Sequence, residues 1–148
     1  AAKAVCFHLA RADGFVELQI KTLKNAACFA GEFERLGYRI VSGGTDNHLV
    51  LIDLRPKGLT GALAEKTLES VGIIVNRNVI PGDPERPDVT SGIRIGSPAI
   101  SSRGMAESEV RQIVQIMDAA MSNSEYSQIL GRVANDVKDL CNKFPVQK

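Results

Sequence analysis

His48-Leu49-Val50-Leu51-Ile52-Asp53-Leu54 is apolar at odd and even positions alike except near its ends, the pattern of a strand covered on both faces. That pattern makes it the central strand. Upstream, Ser42-Gly43-Gly44-Thr45-Asp46-Asn47 has two glycines that accept positive φ and three polar side chains able to bond local backbone, so it predicts a tight hairpin back to a short strand at Tyr38-Arg39-Ile40-Val41. Before that, Phe15, Leu18, Thr22, Ala26, Phe29, Phe33 and Leu36 recur at steps of three and four, one apolar stripe of a helix that Gly37 ends. Asp13-Gly14 separates it from a shorter helical segment over 1–12.

Downstream, Arg55-Pro56-Lys57-Gly58 breaks the central strand, and Thr60 is placed to cap a helix with Leu63, Ala64, Thr67, Leu68 and Val71 inward and Gly72 as its stop. Ile73 to Val79 is predicted as strand, and Ser91-Gly92-Ile93-Arg94-Ile95-Gly96 alternates as another. The prolines at 81, 84, 87 and 98 mark the stretch from 81 to 98 as mostly extended loop. Two helical faces close the chain: Val110, Ile113, Met117 and Ala120, and then, after Ser124 as N-cap, Tyr126, Leu130, Val133, Val137, Leu140 and Phe144. The fold class expected is α+β, an α/β sandwich in which a small, mainly antiparallel sheet carries helices packed on one side. Residues 1–37 read as an N-terminal helical segment and 38–148 as the α/β domain.

With 148 residues, 44% of them hydrophobic and 24% charged, the chain has the composition of one ordinary globular domain. Eighteen Lys and Arg against seventeen Asp and Glu give a net charge of +1, which offers no field to attract nucleic acid or an anionic membrane. Three cysteines, far apart and never in a C-x-x-C pair, suggest neither a disulfide framework nor zinc. A reducing, cytoplasmic setting is therefore expected, an organellar form remaining open. His8 and His48 have no Cys or carboxylate at ligand spacing, so no metal site is expected. No P-loop, G-x-S-x-G elbow or helix-opening G-x-G-x-x-G is present. The chain also begins inside what reads as helix with no cap ahead of it, which suggests a piece of something longer.

The chemistry that stands out lies between residues 76 and 104. Asn76 and Asn78 share a parity, so on a strand both amides project to one face. Such a pair can read the edge of a heterocycle, or it can satisfy backbone where a strand gives way to loop; both readings stay open. Arg94 has Ile93 and Ile95 directed to the opposite face and Gly92 and Gly96 as its same-face neighbours, which suggests an uncrowded floor beneath the guanidinium. An arginine so placed can hold a carboxylate by two parallel charge-assisted bonds, or it can sit in a weak surface ion pair.

Taken together, Ser42 to Leu54, Gly58-Leu59-Thr60-Gly61, Asn76-Arg77-Asn78 followed by Pro81, Asp83 and Pro84, Thr90 to Ala99, and Arg103-Gly104-Met105 closely resemble serine hydroxymethyltransferase, in family order and at family spacing. Ala1 to Phe7 also looks like that family, and the resemblance covers essentially the whole chain. Ser97 and Ser101 stand where threonine is usual, and Gly82 and Asp88 where an aromatic is common.

The resemblance implies the C-terminal domain of a fold-type I, pyridoxal-phosphate-dependent transferase that interconverts serine and glycine with tetrahydrofolate as one-carbon acceptor. It implies Arg94 as the substrate-carboxylate residue and Asn78 as the folate-contacting one, with Asn76 and Arg103 in supporting places. No catalytic residue is expected in this stretch, because the Schiff-base lysine, the ring-stacking histidine and the aspartate at the pyridine nitrogen would all come from an upstream domain. The implied partners are that pyridoxal-phosphate-binding domain, a second copy in a homodimer or tetramer, glycine or serine, and folate. Alone, the chain is expected to be inactive and to hold neither cofactor stably. A noncatalytic binding, regulatory or oligomerisation module is the alternative.

Overall fold

Because side chains alternate along a strand, the pairing register of this sheet decides which residues share a face. The computed structural model describes residues 1–146. In it β1 (Arg39–Ile40), β2 (Leu49–Asp53), β3 (Asn76–Asn78) and β4 (Gly92–Gly96) form one sheet in the order β1-β2-β4-β3, antiparallel throughout. Val50 lies opposite Ile95 and Ile52 opposite both Ile93 and Ile40, so one face is a continuous buried aliphatic surface. Leu49, Leu51, Arg94, Gly96, Asn76 and Asn78 belong to the other.

The helices are α1 (Ala2–Leu9), α2 (Asp13–Arg35), α3 (Gly61–Ser70), α4 (Pro98–Ser102), α5 (Glu107–Ser122) and α6 (Ser127–Lys143). The aliphatic face of the sheet meets Ala26, Phe29 and Phe33 of α2, Ala64 and Leu68 of α3, and Val110, Val114 and Met117 of α5 in a single core. The α+β class with helices against one side of an antiparallel sheet is thus what the chain adopts. The second half of α2 packs in the same core as the sheet, whereas α1 buries no residue at all.

Local detail departs from expectation in several places. The central strand is fully covered on one face only, since Leu49 and Leu51 are half-buried. The return before it is long rather than tight: Ile40 pairs with Ile52, and the intervening loop is held by Thr45 Oγ1, which donates to the Leu49 carbonyl at 2.6 Å, and by Asn47 Oδ1, which accepts from the Leu49 amide at 2.8 Å. The predicted strand 73–79 shrinks to β3, with Ile73 and Ile74 ahead of it outside the ladder. Pro98 opens the short helix α4 instead of extending a loop, because the first helical position needs no amide hydrogen. Thr60 does cap α3, its Oγ1 accepting from the Leu63 amide at 3.2 Å, but α6 begins after Tyr126 rather than after Ser124.

Candidate functional site

The face of the sheet opposite the helices brings the sequence-predicted residues together. Arg94, in the middle of β4, lies opposite Asn76 of β3 on one side and Leu51 of β2 on the other, while Asn78 lies opposite Gly92. Arg94 is exposed, and among the described residues its side chain makes no hydrogen bond and no ion pair. Its five N–H donors are therefore free. Asn76 is exposed beside it. Asn78 is half-buried and donates from Nδ2 to the Val79 carbonyl at 2.8 Å, which steadies the strand-to-loop junction and leaves its Oδ1 as the acceptor on offer.

Gly92 is not the open floor that the sequence suggested. It is buried, and a Cβ there would lie 2.5 Å from Ile80 Cγ2, 2.9 Å from the Asn78 carbonyl and 3.0 Å from the Ile52 carbonyl. Glycine is required because Ile80 folds down over this end of the strand. At Gly96 a Cβ would sit 3.3 Å from Leu49 Cδ2, a tight but lesser contact.

Two carboxylates organise the surroundings. Asp53, at the end of β2 opposite both Arg39 and Gly92, is 1% exposed and accepts from Arg39 Nε at 2.6 Å, from the Arg55 amide and Nε at 3.0 Å each, and from Arg55 Nη2 at 2.9 Å. Burial pushes its carboxyl up, but the bonds from Arg55 and Arg39 outweigh that and hold it at about 2, below its ordinary 3.8. Asp83 gathers the proline-rich loop: its oxygens accept from the amides of Ile80, Glu85 and Ser91 at 3.0 to 3.1 Å and from Ser91 Oγ at 2.6 Å. There too burial acts upward, and the bonds from Ser91, Glu85 and Ile80 prevail, giving about 2.

The loop then enters β4 through Thr90, a buried β-branched residue at φ 59°, a conformation that L side chains rarely adopt. The Thr90 and Val89 carbonyls accept from the amides of Gly61 and Ala62, so the first turn of α3 is closed by the same loop that leads to Arg94. Sequence reasoning did not find these two carboxylates as organisers. The available signals were one acid closing an apolar run next to an arginine, and an Asp three residues after Ile80 among prolines.

Arg103 lies elsewhere, donating from Nε to the Phe144 carbonyl at 2.6 Å and from Nη2 to the Cys141 carbonyl at 3.2 Å, where it closes the end of α6. His8 and His48 are exposed, and the described residues contain no metal-holding cluster of His, Cys, Asp or Glu. A cavity of about 570 Å³ runs between α2 and the α4–α5 connection, lined by Lys21, Lys24, Asn25 and Ser101 but not by Arg94, Asn76 or Asn78. The Arg94 face is thus one open wall.

The sequence model of serine hydroxymethyltransferase matches residues 1–117, which takes in α1 to α4, most of α5 and the whole sheet. The chain belongs to the serine hydroxymethyltransferase family. Full-length serine hydroxymethyltransferases are oligomeric transferases that use pyridoxal phosphate and tetrahydrofolate. Among the described residues the lysines lie on α1, α2, the 55–57 turn, α3 and α6, and none on a strand. With no amine on its strands, the Arg94 face does not by itself fit pyridoxal phosphate.

Proposed function

We propose that this chain is the substrate-orienting half of a serine hydroxymethyltransferase. Arg94 holds the carboxylate of serine or glycine, Asn78 bonds the pterin of tetrahydrofolate, and an upstream portion carrying pyridoxal phosphate and its lysine forms the opposite wall. The observation that carries the reading is the free guanidinium at the centre of a strand. Its backbone is fixed on both sides, by β2 and β3, while its side chain spends no donor among the described residues. A fork held in place and left unpaired is arranged for a planar anion supplied from outside. Catalysis by such a residue is positioning: it sets the reacting bond at the correct angle to the cofactor, which supplies the electron sink when bound.

The apolar side chains exposed on α1 and α2 support a partner in the complete enzyme. Val5, Phe7 and Leu9 are each more than half exposed, and Phe15, Val16, Ile20 and Leu23 continue the surface along α2. The upstream portion is the proposed occupant of these exposed side chains. The test is to supply the two parts separately. The 148-residue chain with pyridoxal phosphate, serine and tetrahydrofolate is expected to give no turnover, and adding the upstream portion as a second polypeptide is expected to restore it. Turnover by this chain alone would refute the half-site reading.

A further inference from the structure

The strand that carries Arg94 leaves the sheet through a buried polar cluster that the substrate reading does not use. Ser97, directly after β4, is fully buried; its amide donates to the His48 carbonyl at 3.0 Å, which extends the β2–β4 ladder, and its Oγ donates to the Thr22 carbonyl of α2 at 2.7 Å. The Ser97 carbonyl accepts from Ser101 Oγ at 2.8 Å. Ser101 Oγ in turn accepts from Asn25 Nδ2 at 2.9 Å, and the same nitrogen donates to the Met105 carbonyl at 3.1 Å. Thr22, Asn25, Ser97 and Ser101 are each at least nine-tenths buried. One turn of α2 therefore grips α4 along its length and, through it, the exit of β4.

Asn25 is 1% exposed, and its Nδ2 makes two directional bonds, to Ser101 Oγ and to the Met105 carbonyl. Directional bonds fix one geometry where apolar packing tolerates several.

We infer that Asn25 is a positioning residue for the substrate: by clamping Ser101, and through it Ser97, onto α2 it sets the height and direction from which Arg94 meets the carboxylate. This rests on the reading of Arg94 as the carboxylate holder. The lever is short, since Ser97 follows Arg94 by three residues, roughly 10 Å of strand, and a misplacement on the order of 1 Å at a substrate-holding group can cost up to about 100-fold in rate.

The test uses the complete enzyme that contains these residues, with KM and kcat for serine and the melting temperature measured for Asn25→Leu, Ser101→Ala, Ser101→Thr and Arg94→Lys. Asn25→Leu and Ser101→Ala are expected to raise KM about tenfold and to lower kcat about tenfold as well, because a carboxylate held at the wrong height misaims the reacting bond, and Ser101→Thr, which keeps the hydroxyl, is expected to restore both. Should Asn25→Leu fail to fold, Ser101→Ala against Ser101→Thr carries the comparison alone. Variants that lower the melting temperature but leave KM at the wild-type value would reduce the cluster to a fold-holding role and overturn the proposal. Arg94→Lys separates the two ideas: a large rise in its KM with none for the cluster variants refutes only the positioning role, whereas no rise for Arg94→Lys refutes the reading of Arg94 itself.

Discussion

Asp53 is the residue on which the edge of the Arg94 face depends. Two arginines on different elements converge on one buried carboxylate, and the bonds they make lower its proton affinity below that of the unfolded chain. Asp83 is shifted the same way by Ser91 and its neighbours. Both titrate lower folded than unfolded, so the unfolded chain binds more protons and stability drops as pH drops: the contribution is complete above the ordinary 3.8 and is lost as pH falls through about 2. Urea unfolding measured between pH 7 and pH 2 is expected to show that loss, and Asp53→Asn is expected to shrink it to the part due to Asp83 while costing about 2 kcal/mol at neutral pH. An unchanged acid limb in Asp53→Asn would show that the carboxylate contributes nothing there. Arg94 and the asparagine pair were readable from the chain because parity along a strand is local arithmetic. Asp53 and Asp83 were not: Arg55 and Glu85 lie only two residues away, but the bonds from Arg39 and Ser91 depend on a strand pairing and a loop closure that no periodicity encodes.

Among the elements, α3 and the loop before β4 are one unit. Gly61 opens α3 with its amide on the Thr90 carbonyl, and a Cβ at that position would run into Thr90 Oγ1 and come within 2.5 Å of the Gly92 carbonyl. Gly61→Ala is therefore expected to push the helix and the loop apart at a cost of roughly 1–3 kcal/mol. Hydrogen exchange should show the effect as faster exchange at Gly92 and Ile93 than at Val50; uniform acceleration across the sheet would show no special coupling. The long helices α2, α3 and α5 follow from their apolar periodicity, and their placement was legible. The short α4 was not, since Pro98 reads equally as loop or as a first helical residue, and only its packing against α2 decides. The return between β1 and β2 was misjudged for a related reason: glycines and polar residues announce a turn but not how many residues it spans.

The whole molecule is lopsided. One face of the sheet is buried under helices, the other is a nearly open wall carrying Arg94, and several large apolar side chains on α1 and α2 are exposed. Sedimentation velocity over a range of concentrations is expected to show the 148-residue chain self-associating, and Phe7→Ser with Leu9→Ser, which touch no buried residue of the core, to reduce it. A monodisperse monomer at high concentration would argue that these side chains need no partner. Fold class was visible in the sequence because it depends on the sum of many apolar positions; the openness of the site was not, because it is a property of what the chain does not enclose.

The most direct test of the central claim compares serine with its carboxamide, serinamide, in the complete enzyme as wild type and as Arg94→Lys. If the fork of Arg94 holds the substrate carboxylate, the substitution lowers kcat/KM for serine about 100-fold or more and hardly changes that for serinamide, because a lysine cannot reproduce the paired bonds and the amide offers no anion to either residue. Equal losses on both substrates would show that Arg94 supports the fold of the site and does not touch the carboxylate.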